Sequence, residues 1–378
     1  QNLNRPVDIF IQVSVPNEFQ KVGKYNIGVT AGIETNLCHP SWVQGCNRMD
    51  LVLFSSNHAK EVITAASYEM TDKNNPNNKQ ILKYTSKAEV LFEGFRKDKY
   101  FKTPKERTNL SKTLDSIPEN FCYLCMGHWM QGRLGEDRKN IGYTIKTFLE
   151  TFKNKSNKPA LILKSHTSST SLMDRERILN KIEAVRKTVK GTLPNIYLIH
   201  GEITDNEINE LYNHNKIKVF ISLTKGEGFG RPFLEFSAIG KPIIASGWSG
   251  HLDFLKAEYV RLVKGNLDKV DKSSVVKDIL LKEASWFRPD DIDVGRAYKD
   301  IRKKYNKYLT SAKYQESYVK RNFTYSHMVD TLDSILTNNL PEFSKQIELT
   351  LPKLNLPKLK KIGDSSQPKI TLPKLQKL

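Results

Sequence analysis

The stretch 217-IKVFISLTKGEGFGRPFLEFSAIGKPIIAS-246 contains a glycine-rich loop between two apolar runs. Residues 217–223 and 242–246 are rich in Ile, Val and Phe, which predicts buried strands. A helix over 232–239 is predicted between them, with Pro232 at its first position. A strand, a helix and a second strand in this order form a right-handed parallel crossover. The stretch therefore predicts a parallel α/β sheet.

The same alternation continues on both sides of this unit. Apolar runs predict further strands over 7–16, 26–32, 51–56, 81–85 with 88–94, 121–127, 160–166 and 196–201. Helices are predicted over 41–49, 57–66, 141–153, 172–190, 205–214 and most of 296–336. Ser41 is the predicted N-cap of the first helix, and 71–80 is a predicted polar loop. This alternation predicts the α/β class, with two Rossmann-like domains of doubly wound parallel sheet.

Composition divides the chain into four regions. Residues 95–118 are charged and contain proline, so we expect a linker there, at the end of a first domain over 1–118. A second domain is expected over 119–295, then helices over 296–340 and a basic tail over 341–378. The tail contains three LPKL repeats, whose prolines exclude helix and central strand. It is either a flexible, solvated tail or an arm that contacts a partner, an anionic surface or nucleic acid.

The chain is strongly basic, with a formal net charge of +19 over 378 residues. Such a surface attracts nucleotides, phosphorylated sugars, nucleic acid or anionic envelopes, although a lysine-rich solvated surface without a specific partner explains the charge equally well. No apolar run approaches the ~20 residues that a membrane span needs. The few cysteines indicate reduced, cytoplasmic conditions, with peripheral contact to a membrane as a further option.

Residue types that bind metals occur in three places, but none of them predicts a metal site. They are Cys122 and Cys125, Cys38 with His39 and Cys46, and Asp291 with Asp293. The first pair has C-x-x-C spacing inside an apolar run, which favours buried structural thiols. The second group does not complete a tetrahedral ligand set. The two aspartates follow a proline near a predicted helix start, where capping explains them.

The loop after strand 217–223 carries two carboxylates among its glycines. Ligands of open parallel sheets bind beyond the carboxyl ends of the strands, so we expect this loop at the ligand site. Its glycines let backbone amides approach a ligand, and the helix N-terminus that follows attracts an anion such as a diphosphate. We expect Glu235 to accept hydrogen bonds from a ribose diol and Glu227 to bind the hydroxyls of a second sugar.

A second loop, which follows the predicted strand 121–127, carries fixed positive charge. It contains Gly132, Arg133 and Lys139 and precedes a predicted helix. Two cations beside a helix N-terminus stabilise a diphosphate leaving group without a metal ion. Together with the two glutamates, this loop predicts a site for a nucleoside diphosphate.

These motifs resemble those of the retaining family-4 glycosyltransferases, which have the GT-B fold. Residues 132–140, GRLGEDRKN, resemble that family's donor-phosphate loop, and 227-EGFGRPFLE-235 resembles its pair of glutamates separated by seven residues. Residues 240–255 resemble the strand and glycine loop that follow, and 199-IHGEIT-204 resembles the element that reads the base. Thr204 in that element also fits a helix capping box with Glu207.

The resemblance implies a role for each candidate residue. Arg133 and Lys139 hold the diphosphate, Glu235 binds the ribose, and Glu227 contacts the donor sugar. The implied donor-binding set is Gly132, Arg133, Lys139, Gly201, Glu202, Ile203, Glu227, Gly228, Phe229, Gly230 and Glu235. The implied catalytic set is Glu227, Arg133, Lys139 and His39. Glu34 and His39 lie in a first-domain segment, 28–42, that resembles the family's sugar-facing region.

The implied reaction is transfer of a glycosyl group, such as a hexosyl group, from a nucleotide-diphosphate sugar to an acceptor hydroxyl with retention of configuration. The resemblance implies no cofactor and no metal, because the aspartate–x–aspartate metal site belongs to a different glycosyltransferase fold. It also implies that the departing phosphate takes the acceptor proton, so that no protein base is needed. The acceptor stays open among glycans, lipids, proteins and modified bases. Two other functions also stay open: a catalytically inactive GT-B-like adaptor that uses the basic tail, and a nucleic-acid-binding module suggested by charge alone.

The first domain is shorter than the family's pattern. Residues 7–16 resemble a late strand of that domain, and the chain begins at Gln1 without a methionine. We therefore expect that roughly the first half of the N-terminal domain, which helps to bind the acceptor in the family, is truncated from this chain.

Overall fold

A computed structural model describes residues 7–71, 79–102, 107–130, 132–167 and 169–343. The LPKL repeats, and so the predictions made for the tail, lie outside the described residues. The middle of the predicted polar loop 71–80 lies outside them as well. The described residues up to Pro341 belong to one compact unit.

The first part of this unit, residues 7–92, is the N-lobe. Its strands are β1 (Ile9–Val13), β2 (Tyr25–Thr30), β3 (Leu51–Phe54), β4 (Ser67–Thr71), β5 (Lys79–Lys83) and β6 (Lys87–Val90). Its helices are α1 (Pro40–Cys46) and α2 (Asn57–Thr64). Four strands form a parallel sheet in the order β1-β2-β3-β6. Strands β4 and β5 form a separate antiparallel hairpin. The predicted strand segment 81–85 overlaps β5, whereas β4 was not predicted.

Helix α1 begins one residue earlier than predicted. Its N-cap is His39 rather than Ser41, because the backbone N–H of Ser41 donates to Nδ1 of His39 over 3.2 Å. Pro40 takes the first helical position, where its missing N–H leaves no donor unpaired. The prediction of Ser41 was wrong because an imidazole nitrogen can accept the same capping bond as a hydroxyl oxygen.

The second part, residues 119–289, is the C-lobe, which helix α3 (Asn109–Asp115) precedes. Its sheet strands are β7 (Cys122–His128), β8 (Ala160–His166), β9 (Ile196–Ile199), β10 (Ile217–Ser222), β11 (Ile243–Ser246) and β12 (Arg261–Val263). Its helices are α4 (Ile141–Phe152), α5 (Leu172–Lys187), α6 (Asp205–Asn213) and α7 (Arg231–Ser237). The six strands are parallel in the order β9-β8-β7-β10-β11-β12, which is the doubly wound order predicted for this domain.

Alternate residues of β7 enter two different cores, one on each face of the C-lobe sheet. Cys122 and Leu124 belong to one hydrophobic cluster, and Tyr123 and Cys125 belong to the other. Burial raises the pKa of both thiols to about 12, so neither forms a reactive thiolate at neutral pH. The prediction of structural cysteines at this spacing is confirmed.

Several elements near the C-terminus were not predicted from the sequence. They are β12 and the antiparallel pair β13 (Gly265–Lys269) and β14 (Ser285–Pro289). Helix α8 (Asp291–Lys303) begins where the aspartates after Pro289 predicted a helix start. The short strands carry charged residues in place of an apolar run, so periodicity gives no signal for them. Helices α9 (Tyr305–Asn322) and α10 (Tyr325–Asn339) confirm the helical prediction for 296–336. The predicted domain boundary between 295 and 296 falls within α8.

The two lobes touch through backbone at the mouth of the C-lobe sheet. A Cβ atom on Gly226 would lie 1.9 Å from the carbonyl oxygen of Glu34, and one on Gly228 would lie 2.3 Å from that of Ala31. Real Cβ atoms never approach so closely, so glycine is required at both positions. The glycine-rich loop after β10 is thus pressed against the N-lobe.

Candidate active site

The strand order of the C-lobe determines where its site lies. The direction of winding reverses between the adjacent strands β7 and β10, and a crevice forms beyond the carboxyl ends of strands at such a reversal. The loop after β7 carries Arg138 and Lys139, and the loop after β10 carries Glu227. Residues distant in the sequence therefore meet at this crevice.

Glu227 is held between two cations from the loop after β7. Its Oε1 is 2.6 Å from Nζ of Lys139, and its Oε2 is 3.5 Å from Nη1 of Arg138. Burial alone would raise the pKa of Glu227, but the two cations outweigh burial and lower the pKa to about 2. Glu227 is consequently a permanent anion at neutral pH and a poor proton acceptor.

Arg138 also links the two lobes. Its Nη1 lies 3.3 Å from Oε1 of Glu34, a residue of the N-lobe. The guanidinium is therefore shared between carboxylates on opposite sides of the crevice. Glu34, which the sequence placed in a sugar-facing segment, thus lies beside the crevice.

Contacts of Glu227 and Lys225 hold the loop that carries Glu227 in place. The backbone N–H of Glu227 donates to Oγ of Ser249 over 2.9 Å. Lys225, two residues earlier, is fully buried; its Nζ lies 2.8 Å from Asp271 and 4.3 Å from the centre of the Trp286 ring. A buried cation paired in this way anchors the loop to the β13–β14 hairpin.

A cavity of about 790 Å³ opens beside Lys139. Its lining includes the cations Arg138, Lys139 and Lys164, the imidazoles of His128 and His166, and the segment 201–203. The full lining is Met126, Gly127, His128, Arg138, Lys139, Lys164, His166, Ser169, Thr170, Gly201, Glu202, Ile203, Ile208 and Pro232. We call the part of the lining that contains Arg138 and Lys139 the cationic end. Its positive charge and the backbone groups of 201–203 suit a ligand with an anionic part and a hydrogen-bonding part.

The segment 201–203 is positioned by the start of α6. Thr204 and Glu207 form the predicted capping box, since Thr204 Oγ1 accepts from the N–H of Glu207 and the Glu207 carboxylate accepts from the N–H of Thr204. Gly201 has a positive φ of 107°, which favours glycine at this turn. Nζ of Lys164 donates to the carbonyl of Gly201 over 2.9 Å and ties the segment to β8.

Glu235 has a different environment from Glu227. It is buried on α7, and its Oε1 accepts from Nη2 of Arg231 over 3.3 Å, with the phenol of Tyr100 beside it. Burial outweighs these partners and raises its pKa to about 7. Glu235 does not appear among the described residues that line the cavity, although Pro232, one turn earlier, does. Helix α7 begins at Arg231, so Pro232 occupies its second position.

The predicted donor residues fall into two groups. Lys139, Gly201, Glu202 and Ile203 line the cavity. The others are at its border or outside it. Arg133 is exposed, and its backbone N–H contacts Oγ of Ser273 at 3.4 Å. Phe229 lies in the hydrophobic core, 5.0 Å from Phe254 between ring centres.

His39 has two structural partners. Its Nδ1 accepts the capping bond from Ser41, and its Nε2 lies 3.4 Å from Oδ1 of Asp278. Its catalytic role stays a prediction. Gly132, in the loop after β7, and Gly230, at the N-cap of α7, have positive φ angles of 127° and 99°.

Four basic side chains of the cavity were missed from the sequence. They are Arg138, His128, His166 and Lys164. Arg138 lies next to Lys139 in the quoted loop and was passed over because Arg133 matched the expected spacing. The two histidines are the last residues of two consecutive strands, which can be seen in the sequence. They predict a pair only if the two strands are neighbours in the sheet, and the structure shows that they are.

The described ranges contain neither a metal-binding cluster nor a helix that could span a membrane. Within them, no three His, Cys, Asp or Glu side chains lie close enough together to hold a metal ion. Asp291 and Asp293 lie in the first turn of α8, which Asp290 caps by accepting from the N–H of Asp293. No helix in the same ranges is both long and apolar enough to cross a membrane.

Comparison with known proteins identifies the fold. Residues 190–283 match the family described as glycosyl transferases group 1. Sucrose-phosphate synthase from Thermosynechococcus elongatus superposes with a TM-score of 0.58 and 12% identity over 88% of this chain and 73% of that chain. The chain has the GT-B fold. The predicted GT-B architecture is thereby confirmed.

Two further GT-B structures are similar to this chain. Anabaena HepE in complex with UDP and glucose has a TM-score of 0.56 and 12% identity, over 83% of this chain and 72% of that chain. The E. coli structure described as trehalose-6-phosphate bound with UDP-2-fluoro glucose has a TM-score of 0.58 and 10% identity, over 89% and 75%. No curated protein gives a significant sequence match. The group 1 match includes the segment 201–203 and both glutamates of this GT-B chain.

Proposed function

We propose that this protein is a glycosyltransferase that moves a sugar from a nucleotide-diphosphate donor to an acceptor hydroxyl, with retention of configuration. The observation that carries the proposal is the contact between Lys139 and Glu227 at the mouth of a cavity lined by further cations. HepE, which binds UDP and glucose, and the E. coli protein, which binds UDP-2-fluoro glucose, support a uridine nucleotide as the first donor to test.

The donor diphosphate binds at the cationic end of the cavity in this proposal. Arg138 and Lys139 contact its oxygens and stabilise the charge that develops as the sugar leaves. The segment 201–203 contacts the base. We now assign to Arg138 the role that the sequence had suggested for Arg133, because Arg138 lies in the cavity lining and Arg133 is exposed.

Glu227 acts as a fixed anion that binds hydroxyls of the donor sugar. Its pKa of about 2 makes it unsuitable as a general base, which supports a reaction in which the departing phosphate takes the acceptor proton. The cations next to it support catalysis without a metal ion or a cofactor. Glu235 remains our candidate for the ribose, and reaches it only if the Arg231 contact rearranges.

Partners and location follow from the same proposal. The acceptor is a hydroxyl of a glycan, lipid, protein or modified base, and the basic tail is proposed to contact an anionic surface. All four cysteines are unpaired and buried, which supports a reducing, cytoplasmic compartment. The alternative function, an inactive GT-B-like adaptor, would retain nucleotide binding and lack turnover.

A donor panel tests this proposal. UDP-glucose, GDP-mannose and ADP-glucose are titrated by calorimetry, and hydrolysis of each donor is followed by release of the nucleoside diphosphate. We expect one donor to bind and to be hydrolysed slowly, with both properties weakened in Lys139→Met. Binding without hydrolysis, and without transfer to a library of acceptors, would favour the adaptor. If none of the donors binds, the proposal is wrong.

A further inference from the structure

Two histidines form a pair at the cationic end of the cavity. His128 is the last residue of β7 and His166 the last residue of β8, and the parallel register of the two strands places them side by side. Their ring centres are 4.2 Å apart, with an angle of 49° between the planes. Both line the cavity that contains Arg138 and Lys139. The pair therefore borders the space that we assign to the diphosphate.

The surroundings of this pair are mostly positive. Lys164 comes from β8, and Arg138 and Lys139 come from the loop after β7. Burial, followed by His166 and these three cations, lowers the pKa of His128. The carboxylates beside these cations are already engaged, since Glu227 pairs with Lys139 and Glu202 interacts with Lys164.

The helix packed beside the pair does not offset this charge. On α5, Asp174 is buried, accepts from Thr167 and pairs with His200 at 3.0 Å. Lys181 on the same helix donates to the carbonyl of Trp129 over 3.1 Å. One ring nitrogen of His166, Nδ1, is buried and has no hydrogen-bond partner among the described residues. The pair thus has a ring nitrogen that none of the described residues engages.

We propose that His128 and His166 bind the donor diphosphate as a pair that takes up a proton when the nucleotide sugar binds. The inference rests on the proposed function. In the free protein, burial and the neighbouring cations disfavour a charged imidazole at His128. A diphosphate at this place reverses the local charge, and an opposite charge within a few ångströms favours the protonated form. The protonated imidazole then adds one positive charge to the diphosphate site.

This arrangement makes donor affinity depend on pH. Because the bound complex holds a proton that the free protein lacks, affinity rises as the pH falls from 8 to 6. A rise of one unit in imidazole pKa on binding permits roughly a tenfold gain in affinity. UDP-glucose is a suitable probe, because its diphosphate diester does not titrate in this range, whereas the terminal phosphate of UDP does.

Calorimetry in two buffers with different ionisation enthalpies measures the proton directly. We expect proton uptake when UDP-glucose binds to the wild-type protein at pH 7, and roughly a tenfold stronger affinity at pH 6 than at pH 8. His128→Asn and His166→Asn should each reduce the uptake and flatten the pH dependence, and the double variant should abolish both. His327→Asn, in α10, is the matched control and should behave as wild type.

The outcomes separate this inference from the proposed function. Binding without proton uptake, or uptake that persists in the double variant, would overturn the histidine inference and leave the transferase proposal intact. Failure of UDP-glucose, GDP-mannose and ADP-glucose to bind at either pH would overturn both. His128→Gln, checked by its thermal unfolding curve beside that of the wild type, separates loss of the proton from loss of folding.

Discussion

Glu227 and Glu235 lie in the same strand–loop–helix unit, and each is 7% exposed, yet their environments are opposite. Glu227 faces two cations that outweigh the effect of burial and lower its pKa to about 2. Glu235 has one cationic partner, Arg231, whose side chain is 61% exposed, and burial raises its pKa to about 7. The loop carboxylate is thus charged at every physiological pH, whereas the helix carboxylate is half protonated near neutrality.

The contrast shows how one sequence motif can supply one carboxylate that is always ionised and one that is partly protonated near neutral pH. The cations beside Glu227 come from a loop 88 positions earlier in the chain, so its charge is set by tertiary structure. The only cation that pairs with Glu235 among the described residues is Arg231 on its own helix, and this contact does not compensate the burial of the carboxylate. We interpret Glu227 as preorganised and Glu235 as dependent on a ligand. The following predictions test that difference.

The largest effect is expected when the cation beside Glu227 is removed. Lys139→Met deletes one of the two cations beside Glu227 and also a proposed contact to the leaving diphosphate. We therefore expect kcat to fall by roughly 10²–10³-fold. Steady-state turnover of the donor found in the panel measures the change. Lys146→Met, an exposed lysine on α4, is the control and should have wild-type turnover. Equal losses in both variants would contradict the assignment.

Gly226→Ala should disturb Glu227 and leave Glu235 unchanged. A Cβ atom at Gly226 meets the carbonyl of Glu34 at 1.9 Å, so the loop must move away from the N-lobe. A shift of about 1 Å in a catalytic group can cost about 10²-fold in rate, which we expect in kcat/KM. Gly295→Ala on α8 meets its nearest neighbour at 3.7 Å and should leave the rate unchanged. Wild-type kinetics in Gly226→Ala would show that lobe contact is not needed.

Glu235→Gln should stabilise the protein in a pH-dependent way. The pKa of Glu235 is raised from 4.5 to about 7 on folding, so its burial destabilises the fold increasingly as the pH rises through this range. We expect the free energy of unfolding of the variant, relative to wild type, to be about 2 kcal/mol higher at pH 8 than at pH 5. Urea unfolding at the two pH values measures it.

Glu227→Gln provides the opposite case. Its carboxylate is ionised and paired at both pH values, so the substitution should lower the free energy of unfolding at pH 5 and at pH 8 alike. The pair's stabilisation of the wild type would be lost only as the pH falls below 4.5 towards 2, where Glu227 protonates. If the two glutamine variants had the same pH dependence, the contrast between the carboxylates would be wrong.

The smallest effect is expected at the lobe interface. Glu34→Gln weakens the 3.3 Å contact with Arg138. Because the side chains of Glu34 and Arg138 are both partly exposed, we expect a change in stability below about 1 kcal/mol. Freeing Arg138 from this competitor should strengthen donor binding about threefold, which that energy permits. Calorimetric titration of the donor measures the gain. Weaker binding in Glu34→Gln would instead indicate that Glu34 itself contacts the donor.

Much of the fold follows from local patterns, because buried parallel strands and amphipathic helices have strong periodic signals. The strand 217–223, the capping box at Thr204 and the doubly wound order were all predictable in this way. Strands β12 to β14 were not, because their charged residues give no apolar period and pairing alone defines them.

The candidate site was only partly predictable, since its main contacts are long-range. Lys139, Glu227 and the segment 201–203 could be found from residue types and loop positions. The choice between Arg133 and Arg138 could not, because both are arginines of one loop and only the packed structure shows which lines the cavity. The opposite pKa shifts of Glu227 and Glu235 could not be predicted from the sequence either, since they depend on burial and on partners from other elements.

The central claim is that Arg138 and Lys139 hold a donor diphosphate at the carboxyl ends of β7 and β10. A crystal structure with the best-binding nucleotide sugar of the panel tests it most directly. We predict diphosphate oxygens at roughly 2.7–2.9 Å from Nζ of Lys139 and from the Arg138 guanidinium, with the base beside residues 201–203. A diphosphate bound elsewhere, with Lys139 still paired to Glu227 alone, would contradict the account.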